Sequence, residues 1–304
     1  MADIMVVVLF YISWIVHYSD ALPACCQTTN IPGGRYMTCS GCRLLVVPQD
    51  IPNNTTVLDL SNNNLKVLKQ DSFPQLLHLK KLNLQRNQLI RISPRAFDSV
   101  SNIDELDISD NKLEHFSMDV SIFISLKNLT TLKMDRNNFY FKKVYPGDVL
   151  STLINLRILF LYIFNGFNFN TGFSNLGQLQ KVYLFVGWST GVFLKNTSFI
   201  GLKQRNITHL SIHGYIKYME KNFLSPFTRL TDLDLQSKHR TVRDALQGLY
   251  GIRGKTMNSL SITGFSEQIS SGVVLTKSDI SYLATICVKK LSLVDNDIFA
   301  ILML

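Results

Sequence analysis

Apolar residues recur along this chain in a frame of fixed internal spacing. Each copy of the frame places apolar side chains at positions four and six, and all copies but the first place one at position one. The same five copies carry an asparagine at position nine and an apolar residue at position eleven. Ten copies follow one another at intervals of 23 to 31 residues, and their first residues are Thr55, Leu79, Ile103, Leu129, Leu156, Leu179, Ile207, Leu230, Met257 and Val288. A repeat of this length predicts one small supersecondary unit per copy and an elongated array of such units.

The frame also predicts the layout of each unit. A short strand through positions three to five would turn the side chains of positions one, four and six into a shared core, so that each copy adds one strand to a parallel sheet. Phenylalanines further along five copies extend the same core: Phe73, Phe97, Phe123, Phe199 and Phe223. A helical bundle is the alternative, but a 3.6-residue period does not explain a recurring asparagine. We therefore predict an α/β-class solenoid, a horseshoe with its parallel sheet on the concave side.

Position nine differs between the ends and the middle of the array. A buried asparagine there can donate to and accept from backbone groups of neighbouring repeats. It is present as Asn63, Asn87, Asn111, Asn137 and Asn296. The five middle copies carry other residues instead, namely Phe164, Gly187, Tyr215, Lys238 and Phe265. We therefore expect a regular beginning and a looser, irregular middle.

The first 54 residues lie outside the frame. An apolar run from Ile4 to Val16 is too short to span a bilayer but has the length of a signal-peptide core, and Ser19 and Ala21 supply small residues for cleavage. We predict a signal peptide at residues 1–21. A buried N-terminal helix is the alternative, because Asp3 precedes the run and no Lys or Arg does.

Four of the five cysteines lie within residues 22–54, at Cys25, Cys26, Cys39 and Cys42. In a secreted chain such a cluster predicts an N-terminal cap with two disulfides. Three pairings exist, and the one that joins the neighbours Cys25 and Cys26 is disfavoured by geometry. A four-cysteine zinc site is the alternative, because Cys39 and Cys42 have the spacing of zinc ligands.

The frame is identified as that of leucine-rich repeats, over residues 55–304. The run from Cys39 through Val47-Pro48 and Ile51-Pro52 into the first repeat resembles the N-terminal cap of extracellular members. The irregular repeat lengths are most similar to those of Toll-like receptor ectodomains. This resemblance implies an extracellular or luminal receptor that recognises a microbial or endogenous ligand in innate immunity, with receptor dimerisation around the ligand. A secreted leucine-rich-repeat protein that binds matrix or other proteins is the alternative.

The tenth repeat continues to the last residue. The cysteine-rich C-terminal cap, membrane span and signalling domain that such a receptor has do not occur in the sequence. A solenoid needs a polar or disulfide-bonded end to cover its last apolar layer. We therefore expect an incomplete ectodomain. Cys287 is then either a thiol whose partner belongs to a longer chain or a free, buried cysteine.

Charge and motifs favour binding over catalysis. The 31 Lys and Arg residues exceed the 22 Asp and Glu residues and give a net charge of +9, which suits acidic partners and leaves nucleic acid and anionic glycolipid open as ligands. The motif H-E-x-x-H is absent, one G-x-S-x-G occurs at residues 187–191, and Gly254-Lys255-Thr256 lacks the upstream glycine of a phosphate-binding loop. We predict a protein that is not an enzyme and that uses no metal or cofactor.

The outward-facing positions of the sheet indicate where a ligand could bind. In repeats two to four they alternate between basic and acidic residues, which is typical of a solvated face. In repeats five and six they become aromatic and basic, and the frame also turns Ile163 and Val186 outward. The candidate ligand-binding residues are Arg157, Phe160, Tyr162, Lys181, Tyr183 and Phe185. The alternative is that residues 165–169 and Trp188 fold over these rings.

Five N-x-Ser/Thr sequons predict N-glycosylation, at Asn53, Asn54, Asn128, Asn196 and Asn206. Asn128 and Asn206 directly precede position one of their repeats, which places them beside the strands and off the concave face. Glycans there would leave that face free for a ligand.

Overall fold

The structure is a computed structural model, and it describes residues 22–114, 118–139, 147–187, 191–238, 240–265, 273–296 and 298–302. The predicted signal peptide at residues 1–21 and Trp188 lie outside the described residues. Within these ranges no helix is both long and apolar enough to cross a bilayer.

A sheet of twelve strands organises the described chain. The strands, in chain order, are β1 (Gln27–Ile31), β2 (Gly34–Thr38), β3 (Thr55–Asp59), β4 (Val67–Leu68), β5 (Lys81–Asn83), β6 (Arg91–Ile92), β7 (Glu105–Asp107), β8 (Thr131–Lys133), β9 (Ile158–Ile163), β10 (Lys181–Val186), β11 (Val192–Leu194), β12 (His209–Gly214), β13 (Ile216–Met219), β14 (Asp232–Gln236), β15 (Thr256–Thr263), β16 (Val273–Thr276), β17 (Cys287–Ser292) and β18 (Ile298–Leu302). Across the large sheet the order is β1-β2-β3-β5-β7-β8-β9-β10-β12-β14-β15-β17. All its pairs are parallel except the β1–β2 hairpin. Each predicted repeat contributes one strand, so the solenoid is confirmed.

Short helices and small sheets return the chain from one strand to the next. The α-helices are α1 (Gly147–Leu150) and α2 (Val242–Gly248), and 3-10 turns span Asp98–Val100, Thr171–Asn175, Asn196–Leu202, Leu249–Ile252 and Leu283–Thr285. Strands β4 and β6, β11 and β13, and β16 and β18 form three two-stranded parallel sheets. Short helical turns and small sheets therefore make up the connections between the strands of the large sheet.

The frame residues fill one continuous core. Ile103, Leu106 and Ile108, at positions one, four and six of the third repeat, are fully buried. The rings of Phe73, Phe97 and Phe123 stack with centroids 6.3 and 6.0 Å apart, and each phenylalanine comes from a successive repeat. Burial of each such side chain contributes about 1.5–3 kcal/mol. Because every layer packs on its neighbours, the stability of one repeat depends on the next.

The position-nine asparagines join the repeats by hydrogen bonds, as predicted. Asn111 donates from Nδ2 to the carbonyls of Leu84 and Ile108 at 3.0 and 3.1 Å, and its Oδ1 accepts from the Leu89 N–H at 3.0 Å. Asn87 makes the equivalent hydrogen bonds to Leu60 and Leu65 of the first repeat. Asn63 makes them to Cys39 and Leu44 of the cap. Each buried amide thus satisfies backbone groups that a tight bend would otherwise leave without partners.

The middle of the array is not looser, and the expectation of a looser middle was wrong for the strands. Position eight of the first four repeats adopts a left-handed backbone, with φ between 52° and 56° at Asn62, Arg86, Asp110 and Arg136. Repeats five and six have Ile163 and Val186 there, and branched side chains resist that conformation. The bend is therefore replaced by extended backbone. Strands β9, β10 and β12 have six residues, against three in β5, β7 and β8.

The cap begins the sheet and is closed by two disulfides. Cys25 pairs with Cys42, and Cys26 pairs with Cys39. These bonds occupy all four thiols of the alternative zinc site. Strand β2 lies parallel to β3, and its Met37 is fully buried. The cap therefore covers the first apolar layer of the array.

Cys287 is exposed to solvent, whereas one of its two expected environments was the buried core. The residue is free and exposed at the start of β17, so the prediction of a buried cysteine was wrong. Its position follows from the frame, because Cys287 directly precedes position one of the tenth repeat, on the side where strands begin rather than in the core.

Replacing Asn111 with Ala should lower the free energy of unfolding by about 3 kcal/mol, because buried carbonyl and N–H groups lose their partners. Urea denaturation followed by circular dichroism measures this change. Lys112→Ala alters the next, exposed residue and should cost less than about 0.5 kcal/mol. Equal losses in the two variants would contradict a structural role for the amide.

Replacing Asp135 with Ser should stabilise the protein at neutral pH. Burial raises the pKa of Asp135 to about 6, although the charge of Arg136 acts in the opposite direction. Between about pH 4 and pH 6 this carboxyl is therefore protonated in the folded state and ionised in the unfolded state. Stability contributed by this group therefore falls as pH rises through that range. Ser61 and Ser109 occupy the same position in repeats one and three and are buried.

We expect Asp135→Ser to gain about 2 kcal/mol at pH 7.5 and to lose most of this gain by pH 4. Thermal unfolding across this pH range measures the effect. Asp119→Ser is the matched control, because hydrogen bonds from Ser121 lower the pKa of Asp119 and its removal should not stabilise at pH 7.5. A gain for Asp135→Ser that is the same at both pH values would contradict the assignment.

Candidate functional site

A cavity of about 560 Å³ opens on the concave face where the middle strands end. We call it the ring pocket. Its residues come from five successive repeats and are Arg136, Tyr162, Phe185, Val186, Gly187, His213, Gly214, Gln236 and Lys238. Aromatic rings and strand backbone form its walls, and cationic side chains lie at its rim. This combination suits a ligand with both apolar and acidic groups.

The extended backbone of repeats five and six positions the pocket. Tyr162 and Phe185 stand at position seven, and register pairing places them side by side on β9 and β10. In repeats one and three the same position holds a buried serine. Gly187 leaves room for Tyr162, because a Cβ at residue 187 would collide with the tyrosine hydroxyl. Continuous strands and one glycine thus bring two rings onto the concave face.

A ladder of rings continues from the pocket toward the beginnings of the strands. Phe160 and Tyr183 stack with centroids 4.2 Å apart and planes 7° apart, and Phe160 also lies parallel to Phe185 at 6.5 Å. His209 and His213 of β12 continue this ladder at 4.9 Å from Tyr183 and 6.2 Å from Phe185. The rings hold one another in place, so little side-chain entropy remains to be lost on binding.

The described insertion does not cover these rings. Phe167 and Phe169 are buried in the core, where Phe169 packs edge-on against Phe173. Phe160, Tyr162, Tyr183 and Phe185 remain half-buried, with one side toward solvent. The alternative in which residues 165–169 fold over the rings is therefore wrong, and Trp188 lies outside the described residues. The outward orientation expected for Ile163 and Val186 was also wrong, because both are buried.

Arg157 and Lys181 lie apart from the pocket. Both are exposed, at the side of the sheet where β9 and β10 begin. The structure therefore brings together Tyr162 and Phe185 in the pocket, connects Phe160 and Tyr183 to them by stacking, and places the two predicted cations at the far end of the ring ladder.

Charges on repeats two to four largely neutralise one another. Glu105 accepts from Lys133 at 2.9 Å and lies 3.3 Å from Lys81, while Asp110 lies 3.3 Å from Arg136. Burial alone would raise the pKa of Glu105, but the two lysines lower it below its usual value. This pairing supports the interpretation of a solvated face. Arg136 also lies over the Phe185 ring at 5.9 Å and so reaches the pocket rim.

His213 and Asp234 form the polar side of the site. His213 Nε2 lies 2.6 Å from Asp234 Oδ2 and 3.0 Å from Ser211 Oγ. Burial would raise the pKa of the Asp234 carboxyl, but the His213 hydrogen bond and charge lower it. One imidazole nitrogen makes both contacts, whereas a catalytic triad uses the two nitrogens separately. The arrangement therefore positions the imidazole beside the rings and does not activate the serine.

Sequence reasoning missed several pocket residues. His213 and Gly214 have no distinctive motif around them, and Arg136 and Lys238 fall in repeats that look ordinary. One signal was available: a branched residue at position eight predicts that the bend is lost and that position seven moves outward. That signal would have identified Tyr162 and Phe185 but not the pocket residues of the next two repeats, where position eight is Gly214 and Ser237.

The predicted glycosylation residues lie away from the pocket. Asn53, Asn54, Asn128 and Asn206 are exposed, and Asn196 is half-buried at the start of a 3-10 turn. None of the five is among the residues that line the ring pocket. Glycans at these residues are therefore compatible with an open concave face.

Comparisons with known proteins agree with the fold. Residues 53–113 match the leucine rich repeat family. Toll-like receptor 3 of Bos taurus is 37% identical over 128 residues, which cover 38% of this chain and 13% of that receptor. Tsukushi of Gallus gallus is 27% identical over 259 residues, which cover 75% of this chain and 67% of Tsukushi.

Among solved structures, human 5T4 (trophoblast glycoprotein) superposes with a TM-score of 0.56 at 20% identity, over 77% of this chain and 88% of the 5T4 chain. The large parallel sheet, the disulfide cap and these matches agree. The chain is a leucine-rich-repeat protein with an N-terminal disulfide cap, and it is similar to the ectodomains of Toll-like receptors.

Proposed function

We propose that this chain is the N-terminal, ligand-recognition part of a Toll-like receptor ectodomain and that its ligand binds in the ring pocket. The observation that carries this proposal is a half-exposed, pre-stacked set of aromatic rings on the concave face, next to cations. The similarity to Toll-like receptor 3 over 38% of the chain supports the receptor assignment.

Binding in the pocket would be an equilibrium process without covalent chemistry. A ligand ring or apolar group would stack on Tyr162 and Phe185, and its acidic groups would face Arg136 and Lys238. Lys238 makes no ion pair with any carboxylate of the described residues, so its charge is available. A ligand of sufficient length would bridge two solenoids and bring together the signalling domains of two receptors.

A secreted leucine-rich-repeat protein that mediates protein or matrix interactions is the second candidate. The match to Tsukushi favours it, because that match extends over most of both chains. The complete transcript distinguishes the two candidates. A membrane span followed by a signalling domain supports the receptor, whereas a stop codon after a C-terminal cysteine cap supports the secreted protein.

The secretory pathway is the proposed location in both cases. Two disulfides in the cap require an oxidising compartment. We further propose that residues 1–21 are a signal peptide and that the exposed sequon asparagines carry glycans. Treatment of secreted protein with an N-glycosidase should reduce its apparent mass, and N-terminal sequencing should begin near Leu22.

The double variant Tyr162→Ser/Phe185→Ser should fold and be secreted, because both rings lie on an open surface. We expect it to lose about 2 kcal/mol of stability from broken stacking. Leu161→Ser/Leu184→Ser is the matched control on the same strands; it places hydroxyls in the core, should lose about 3 kcal/mol per residue and should block secretion. Immunoblots of medium and lysate measure secretion.

The same double variant tests ligand binding in the full-length receptor recovered from the transcript. Cells that express it should lose the response to microbial or tissue extract that the unaltered receptor gives, at equal surface amounts. Lys66→Gln, on an exposed residue outside the ring pocket, should retain the response. A response that survives loss of both rings would refute the ring pocket as the ligand site.

A further inference from the structure

Cations without neighbouring carboxylates follow one another along one side of the solenoid. We call this side the leading edge; it consists of the four residues before position one in each of repeats two to ten. These segments contain no Asp or Glu. Three consecutive repeats, seven to nine, supply five cations to the edge, namely Lys203, Arg205, Arg229, Arg253 and Lys255.

Hydrogen bonds along the edge show that these segments are neighbours in space. Lys255 Nζ donates to the Thr228 carbonyl of the preceding repeat at 2.6 Å. Strands β12, β14 and β15, which follow the three segments, pair in register. Because neighbouring strands lie about 4.8 Å apart, the five cations form a strip about 10 Å long measured across the sheet.

The strip lacks counter-charges. None of the five cations forms an ion pair with a carboxylate of the described residues, whereas Lys80, Lys81, Arg86, Lys133 and Arg136 in repeats two to four all do. Lys203, Arg229 and Arg253 are exposed. Adjacent unpaired cations repel one another and attract an anion with several charges.

Two of the cations show features of an incomplete polar site. Arg253 lies over the Tyr250 ring at 4.0 Å and donates to the Tyr250 carbonyl at 3.1 Å, which fixes its guanidinium at the edge. Arg205 has a buried Nε without a hydrogen-bond partner.

We propose that the leading edge of repeats seven to nine binds a linear sulfated polysaccharide. The disulfide cap requires an oxidising compartment such as the extracellular space, where sulfated polysaccharides are abundant polyanions. Single-stranded nucleic acid also needs exposed aromatic side chains for base stacking. Phe227, the aromatic residue within these segments, is buried, and the half-buried Tyr250 ring beside them is already in contact with Arg253, Lys221 and Tyr282. A polymer recognised through its charges alone fits the edge better.

This site is separate from the ring pocket. None of the five cations lines the pocket, and the edge lies where strands begin, whereas the pocket lies where they end. The sulfated polysaccharide would therefore act as a co-ligand or as an anchor to matrix, in either the receptor or the secreted protein. A negative result for one site therefore does not contradict the proposal for the other.

The test is binding of a heparin octasaccharide to the secreted protein with its own glycans, beside Asn206→Gln, which removes any glycan from the edge and should bind at least as tightly. Binding by Asn206→Gln alone would overturn the proposal for the natural protein. The edge variant Lys203→Gln/Arg229→Gln/Arg253→Gln should bind about tenfold more weakly at about 150 mM NaCl and should show a smaller salt dependence. The control Lys66→Gln/Lys69→Gln/Arg91→Gln removes the same charge from exposed residues of repeats one and two.

The control should bind like the unaltered protein, and Tyr162→Ser/Phe185→Ser should do so as well. Equal weakening of the edge and control variants would overturn the proposal, because net charge alone would then explain binding. Tighter binding of a single-stranded or duplex DNA of equal charge would overturn the assignment to polysaccharide. Equal binding of chemically desulfated heparin would do the same.

Discussion

The structure depends on a constraint that each repeat satisfies only through its neighbours. A turn of chain this short cannot bury its own leucines or satisfy the polar groups of its own bend. The position-nine asparagine resolves the second difficulty by bonding backbone groups of two repeats at once, as Asn111 does. Stacked layers such as Phe73, Phe97 and Phe123 resolve the first. Stability therefore arises between repeats more than within them.

The candidate site arises where this arrangement changes. Ile163 and Val186 exclude the left-handed bend and keep the strand extended, so the residues before them move from the inside of a bend to an open face. These repeats remain regular, because the longer strands make additional backbone hydrogen bonds in place of the asparagine side-chain hydrogen bonds. Later in the array Ser237 takes over part of the amide's role by accepting from the Ile216 N–H. Binding chemistry and the irregular repeats thus have one physical origin.

The sequence predicts the fold well because its signals are local and repeated. The spacing of the leucines and the recurring asparagine predict which residues face the core and that the strands form a parallel sheet. It predicts the site only in part, since Tyr162 and Phe185 are visible in the frame but their neighbours His213 and Gly187 depend on register between distant segments. The cysteine pairing has the same difficulty, because adjacent cysteines leave one crossed and one nested arrangement, and only three-dimensional packing distinguishes them. The predicted outward orientation of Ile163 and Val186 was wrong, because the frame assumes a left-handed bend that branched side chains disfavour.

The hydrogen bonds of Asn63, Asn87, Asn111 and Asn137 also determine how the molecule can change in length. Each amide contacts the same backbone atoms of the repeat before it, so removal or duplication of one whole unit restores every contact with a new neighbour. Loss of a single residue between positions one and nine instead displaces the amide from its partners and turns the strand over. Growth of such a chain by complete modules is compatible with its stability, whereas variation by single residues is confined to the convex connections.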